Sequence, residues 1–269
     1  MDYDRINYIL SPEELQDKRI LIVGVGSGGA PIVQHLTMNG IQHWTLFDPD
    51  TFDEVNLVKH PARRKELGQL KVHIMSEWIT DRNPSANVRD YPVDIMESPD
   101  FEMEVEEADF VLSASDSFPV RQYVNRVCVN KSTSCVTANV FRTGVGGEIY
   151  SYIPEETGCF QCLCLVSAKQ GWNDIEDSIE ITDDEKEKIY GLNQEEYKAS
   201  GLSMDIAIIS AIAAKRALRL LLENPNPRFY PQDKANYVVF YLRKTGDNPG
   251  LSSQRYFISQ QEDCFCGAD

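Results

Sequence analysis

The sequence predicts an α/β protein built on a doubly wound, mostly parallel sheet that is extended by antiparallel strands toward the C-terminus. Short apolar runs alternate with segments of helical periodicity through the first 144 residues. A glycine-rich turn directly follows the first of these runs. After Gly144 the alternation stops, and strand-like segments accompany one long apolar helix. Alternation of strand and helix is typical of a parallel sheet that is covered by helices.

Five strands and three helices are predicted in the first half of the chain. The strands are expected at residues 19–23, 43–47, 88–93, 108–113 and 134–140. The helices are expected from the glycine turn to residue 38, at 62–81 and at 118–130. Ligands of such sheets bind at the carboxyl ends of the parallel strands, so functional side chains are expected there.

The second half predicts strands at residues 148–153, 237–243 and 255–259 and a helix at 204–222. Between them, residues 165–203 carry ten acidic residues and four lysines, which gives a local charge of ten minus four, or -6. Such a charge excess is typical of a solvated loop, here with one exposed helix. The alternative is a flap that covers a bound partner.

The composition excludes several classes of protein. A 269-residue chain with 42% hydrophobic residues can bury a substantial core. The 26 basic against 42 acidic residues, a formal charge of -16, argue against a nucleic-acid or anionic-membrane partner held by the overall field. The apolar run at 206–214 is too short for a membrane span, and the N-terminus lacks a signal-peptide pattern. We therefore expect a cytoplasmic protein.

The seven cysteines suggest a metal site in preference to disulfides, because their number is odd and their spacing uneven. Cys159 and Cys162 form a C-x-x-C pair, and Cys264 and Cys266 form a second pair about a hundred residues later. Four thiolates suit tetrahedral Zn²⁺. Cys164 could replace one ligand, and free cysteines remain the alternative.

The glycine turn has the spacing of a phosphate or dinucleotide loop in a Rossmann-like fold. Gly24, Gly26 and Gly29 lie between a strand and a helix, where the backbone can approach a ligand and helix N–H groups face its charge. Asp48 ends the second strand, the place of the acidic residue that holds ribose hydroxyls. These features alone would indicate a nicotinamide-dependent dehydrogenase, or a glycine turn needed only for helix packing.

The segments after Asp48 point elsewhere. They include Asp48-Pro-Asp50, then Asn56-Leu57 followed by Lys59, Gly68-Gln-Leu-Lys71, and Ser113-Ala-Ser-Asp116-Ser117 with Arg121; Tyr3-Asp-Arg5 precedes them all. In this order and spacing the sequence resembles the ThiF/MoeB superfamily of adenylating enzymes, which are related to ubiquitin-activating enzymes. The resemblance covers nearly the whole chain.

The resemblance implies a single adenylation domain over residues 1–269, with a nucleotide-binding half at 1–144 and an antiparallel extension at 145–269. It implies that ATP contacts Gly24, Gly26, Gly29, Asp48, Asp50 and Asn56, and that Lys71, Lys59, Arg5 and Asp116 serve catalysis, with Asp116 also holding Mg²⁺. It further implies a homodimer in which Arg5 reaches the ATP site of the other protomer. The family's structural zinc supports assigning Cys159, Cys162, Cys264 and Cys266 as ligands.

Two positions depart from the family pattern. Lys59 stands where the family has arginine, which replaces a bidentate fork with a point charge, and Ser117 stands where it has asparagine. Arg63 or Arg64 could supply the missing guanidinium. His60, next to Lys59, is more typical of a loop residue than of a ligand contact.

Chemistry and resemblance together predict that the chain activates a terminal carboxylate as an acyl-adenylate. The resemblance implies a small ubiquitin-like protein that ends in Gly-Gly as substrate, with a sulfur-transfer or conjugating enzyme downstream. Residues 165–203 lack cysteine, which argues against a thioester on that segment and leaves Cys164 as a weak candidate. The alternatives are a peptide substrate, a transfer-RNA nucleoside, bacterial ubiquitin-like conjugation, a dehydrogenase, or an inert nucleotide-binding scaffold.

Overall fold

A computed structural model describes residues 1–141, 144–172 and 201–267. Within these residues, eight strands form one sheet in the order β3-β2-β1-β4-β5-β6-β7-β8. The strands are β1 (Arg19–Val23), β2 (His43–Phe47), β3 (Asn87–Tyr91), β4 (Phe110–Ser113), β5 (Cys135–Val140), β6 (Gly146–Tyr152), β7 (Tyr237–Tyr241) and β8 (Ser252–Tyr256). Strands β1 to β5 pair in parallel and the last three pair antiparallel, which confirms the predicted fold class.

Helices cover both faces of the parallel part of the sheet. They are α1 (Glu13–Gln16), α2 (Gly29–Met38), α3 (Lys71–Arg82), α4 (Phe101–Glu107), α5 (Phe118–Asn130), α6 (Phe160–Gln170) and α7 (Ser203–Leu221). Alternate residues of β1 enter different cores: Ile20 and Ile22 pack with α2, α3 and α7, whereas Leu21 and Val23 pack with α4, α5 and α6. A strand buried on both faces has the continuous apolar sequence seen here.

The predicted helix at residues 62–81 was wrong in its first half, because α3 begins only at Lys71. The preceding residues bond across to the segment after β2: Phe52 N–H donates to Gln69 O at 2.8 Å, and Gly68 N–H donates to Phe52 O at 2.9 Å. Gly68 also has a φ of +83°, which a helix does not accept. The result places Lys71 in the first turn of α3.

The predicted strand at 255–259 was also displaced, since β8 ends at Tyr256. Beyond it, Ile258 N–H donates to the Asn236 side chain at 2.7 Å, and Gly158 N–H donates to Ile258 O at 2.9 Å, so this segment leaves the ladder to pack against the start of α6.

Helices α1, α4 and α6 were not predicted. All ten acidic residues of the segment predicted as a solvated loop, with a flap as the alternative, fall within 173–200, outside the described residues. No helix in the described ranges combines the length and apolarity of a membrane span.

Candidate functional site

A cavity of about 500 Å³ lies at the carboxyl ends of the parallel strands. It opens beside the junction of β1 and β4, where the strand order reverses and α/β sheets bind their ligands. Its volume is within the usual range for small-molecule sites. Eight of the residues predicted to serve the site line it: Gly24, Gly26, Asp48, Asp50, Asn56, Lys59, Lys71 and Asp116.

The three motif glycines meet different steric conditions. Gly24 has a φ of +86°, and a Cβ there would lie 3.0 Å from Ala114 O. A Cβ on Gly29 would lie 1.9 Å from Gly24 O, so this glycine allows α2 to begin against the loop. A Cβ on Gly26 would meet no atom within 4 Å. Because Gly26 also lines the cavity, its missing side chain leaves space toward the cavity, while Gly29 serves packing.

Asp48 ties the end of β2 to the glycine loop. Its Oδ2 accepts the Val25 N–H at 2.8 Å and its Oδ1 accepts the Asp50 N–H at 2.9 Å. Burial raises the pKa of Asp48, while the Lys71 charge and the two backbone hydrogen bonds oppose that shift. Asp48 therefore shapes the loop in addition to lining the cavity, and its contact with a ribose stays a prediction.

Lys71 and Asp50 form an ion pair in the cavity wall. Lys71 Nζ lies 2.6 Å from Asp50 Oδ2, with the lysine side chain 9% exposed and the aspartate 64% exposed. The Lys71 N–H also donates to Asp50 O at 3.0 Å. A buried ammonium with a solvated partner can exchange that partner for another anion at small cost.

The turn that follows Asp53 carries Asn56, Lys59 and His60. Asn56 Oδ1 accepts the Asp53 N–H at 3.0 Å, and Asn56 O accepts the N–H groups of Lys59 at 3.0 Å and His60 at 2.8 Å. His60 is 5% exposed, and its Nε2 lies 2.9 Å from Val25 O in the glycine loop. His60 also lines the cavity. The sequence favoured a loop residue over a ligand contact for His60 and did not predict its bond to Val25, because no local pattern shows which distant carbonyl an imidazole contacts.

Asp116 lies exposed beyond the carboxyl end of β4 and lines the cavity. The two arginines considered as substitutes for a guanidinium at position 59 lie elsewhere: Arg63 pairs with Glu66 at 2.7 Å, and Arg64 pairs with Glu54 at 3.0 Å. Neither lines the cavity. Arg5 is exposed and does not line it either, so its role in catalysis stays a prediction.

Four cysteines converge at the start of α6. The Sγ atoms of Cys159, Cys162, Cys264 and Cys266 all lie within 4.8 Å of one another, and three of their separations measure 3.3, 3.5 and 3.6 Å. Zn–S bonds of about 2.3 Å in a tetrahedron require S···S separations of about 3.8 Å. The Gln261 N–H also donates to Cys162 Sγ at 3.4 Å, as outer-shell donors do for metal thiolates. The cluster fits a structural zinc ion.

Cys164 is not a member of this cluster. It lies half-buried on α6, and burial raises the pKa of its thiol to about 11. A nucleophilic cysteine has the opposite shift, because the thiolate is the reactive form. The geometry therefore supports Cys264 and Cys266 as the second ligand pair and argues against Cys164 both as a replacement ligand and as a nucleophile.

Comparison with known proteins agrees with this architecture. The family model described as ThiF family matches residues 10–250. Ubiquitin-like modifier-activating enzyme 5 of Dictyostelium discoideum is 25% identical over 273 residues, which cover 97% of this chain and 68% of that protein. The adenylyltransferase and sulfurtransferase UBA4 of Yarrowia lipolytica is 32% identical over 150 residues, which cover 56% of this chain and 37% of that protein.

The fold is shared with solved structures. Escherichia coli MccB, crystallised with ATP, superposes with a TM-score of 0.70 at 18% identity, over 95% of this chain and 68% of that one. MccB crystallised without a named ligand superposes with a TM-score of 0.73 at 18% identity, over 99% of this chain and 72% of that one. The family match spans most of the sequence and all five parallel strands. The chain belongs to the ThiF family of ThiF/MoeB-type adenylating enzymes.

Proposed function

We propose that this protein binds Mg-ATP and joins a terminal carboxylate to the α-phosphorus, which releases pyrophosphate and leaves an acyl-adenylate. The observation that carries the proposal is the convergence of Gly26, Lys71, Lys59 and Asp116 on one cavity at the sheet's switch point. Family membership favours this chemistry over a nicotinamide-dependent dehydrogenase. It also favours an active enzyme over an inert scaffold.

The reaction requires positive charge more than a base. A terminal carboxylate has a pKa of about 3.3–3.7 and is already ionised at neutral pH, so no proton has to be removed. Two anions must meet, and fixed cations in a partly dry site stabilise the charge that builds on the phosphates. Lys71 and Lys59 supply such cations in this proposal. Asp116 offers a carboxylate oxygen, the ligand type that Mg²⁺ prefers, and the metal ion would neutralise phosphate charge there.

Pyrophosphate exchange into ATP tests the reaction class. The wild-type chain, supplied with a carboxylate substrate, should exchange labelled pyrophosphate in a magnesium-dependent manner. Asp116→Ala should abolish exchange with little change in melting temperature, because Asp116 is exposed. Asp81→Ala is the matched control, since Asp81 is exposed on α3 and does not line the cavity. Exchange that survives in the Asp116 variant would contradict the assignment.

For the substrate, we favour a small ubiquitin-like protein that ends in Gly-Gly. Two relatives, a ubiquitin-like modifier-activating enzyme and an adenylyltransferase and sulfurtransferase, support this choice. A peptide is the second candidate, because MccB has been crystallised with MccA. Exchange should be measured with a ubiquitin-fold protein that ends in Gly-Gly, with its C-terminal amide and with a short peptide. Activity with the amide would exclude carboxylate activation.

Arg5 is proposed to complete the site of a partner protomer. In a mixture of Arg5→Ala and Asp116→Ala chains, each mixed dimer would hold one site with both residues intact. Half of the dimers would be mixed, so exchange should recover to about a quarter of the wild-type level. A cis role for Arg5, or a monomeric enzyme, predicts no recovery. Light scattering of the wild-type chain would separate these two outcomes.

A further inference from the structure

The His60 ring has a single tautomer and a single charge state in this fold. Its Nδ1 lies 3.1 Å from the Ala62 backbone nitrogen, whose N–H can only donate, so Nδ1 must accept. The proton therefore resides on Nε2, which donates to Val25 O at 2.9 Å. The ring is 5% exposed and packs with its centroid 5.1 Å from that of Phe52. His60 is thus a neutral imidazole with both nitrogens engaged.

This contact holds the centre of the glycine loop from a second side. Val25 lies between Gly24 and Gly26. The Val25 N–H donates to Asp48 Oδ2 at 2.8 Å, and the Val25 carbonyl accepts from His60. The Val25 side chain is fully buried. The loop therefore cannot shift toward or away from the cavity without breaking a buried hydrogen bond, and a buried group left unpaired costs about 1–3 kcal/mol.

The same contact connects the loop to the turn that bears Lys59. His60 follows Lys59 directly, and both backbone N–H groups bond to Asn56 O. Gly26 and Lys59 line the cavity from these two segments. The segments are distant in sequence, and His60 is a direct side-chain bridge between them. His60 also lines the cavity, but both ring nitrogens are engaged, so the ring offers a nucleotide no hydrogen bond and its polar effect acts through position.

We propose that His60 is a positioning residue that sets the distance between the glycine loop and Lys59 for a bound triphosphate. The proposal rests on the proposed function, since it assumes that ATP occupies this cavity. Burial lowers the pKa of His60 and the Lys71 charge acts in the same direction, whereas the hydrogen bond to Val25 and the Glu66 charge oppose the shift. Protonation would add a cation beside Lys71 and remove the acceptor for Ala62.

Two variants separate hydrogen bonding from bulk. His60→Met has similar volume but cannot donate to Val25 O, whereas His60→Gln carries an amide that can. Loss of one net hydrogen bond corresponds to about a tenfold change. We expect His60→Met to weaken Mg-ATP binding by titration calorimetry about tenfold and to raise KM for ATP more than it lowers kcat. We expect His60→Gln to recover binding to within about threefold.

His73→Met is the matched control, because His73 is half exposed, pairs with Asp90 at 2.6 Å and does not line the cavity. Melting temperatures are measured for all three variants. If His60→Met binds Mg-ATP like the wild type, or if His60→Gln is as impaired as His60→Met, the proposal is overturned. Calorimetry needs no turnover, so a wild type that binds ATP but shows no pyrophosphate exchange would contradict only the proposed function.

Discussion

Lys71 Nζ lies 2.6 Å from Asp50 Oδ2, and this pair forms part of the wall of the glycine-loop cavity. The two residues are joined twice, since the Lys71 N–H also donates to Asp50 O. The ammonium is buried and its carboxylate partner is solvated, so the cation is held in place while its counter-ion can be exchanged. The arrangement is suited to receiving phosphate oxygens.

Replacement of Lys71 with alanine should lower pyrophosphate exchange by about 100-fold or more, because it removes a fixed charge from the region where phosphate charge develops. The fold should tolerate the change, because Asp50, the partner left behind, is 64% exposed and stays hydrated without the lysine. Lys65→Ala is the control, since Lys65 is exposed and outside the cavity. Equal activity of the two variants would exclude Lys71 from catalysis.

Gly29→Ala should lower stability, whereas Gly26→Ala should lower nucleotide affinity. At Gly29 the new Cβ would lie 1.9 Å from Gly24 O, so the free energy of unfolding should fall by about 1–3 kcal/mol or more. At Gly26 the Cβ meets no protein atom within 4 Å, so stability should be kept while nucleotide affinity falls. Urea unfolding and ATP titration measure the two effects. An unstable Gly26 variant, or a stable Gly29 variant, would contradict the loop geometry.

Loss of one thiolate from the cysteine cluster should release its metal ion. We expect about one zinc ion per chain in the wild type and less in Cys264→Ser, with a loss of stability on the order of 4 kcal/mol, because metal loss is among the largest effects of point mutations. Cys164→Ser is the control, since that thiol lies outside the cluster. Elemental analysis measures the zinc content and thermal melting measures the loss of stability. A metal-free wild type would refute the zinc site.

His60 should make stability fall as the pH decreases below about 6.5, its ordinary pKa. The pKa of His60 is lowered in the folded state, and burial of the ring is the largest cause. In this window the unfolded chain takes up a proton that the folded chain resists, so acidification favours unfolding. The difference in unfolding free energy between the wild type and His60→Gln should therefore shift with pH between 5 and 7. A difference that does not vary would contradict a neutral buried ring.

Much of the fold could be predicted because the spacing of apolar residues reflects which side of each strand or helix is buried. After Arg19, strand β1 is entirely apolar, which predicts burial on both faces, and the glycines that follow it predict a tight turn. The first half of the helix predicted at 62–81 was wrong: its periodicity is compatible with a helix, but Gly68 and Gln69 form backbone hydrogen bonds with Phe52. Helix propensity is a local property, so it does not predict when a hydrogen bond to a distant residue replaces a helical one.

The sequence by itself determined the order of the eight strands, the helices α2, α5 and α7, the glycine turn and the identity of the four cysteines. Only the tertiary structure decided that Cys264 and Cys266 reach Cys159 and Cys162, that Arg63 and Arg64 pair with acids away from the cavity, and that His60 bonds to Val25. The reason is physical. Residue patterns report whether a position is buried, whereas the partner it meets depends on how distant segments pack together.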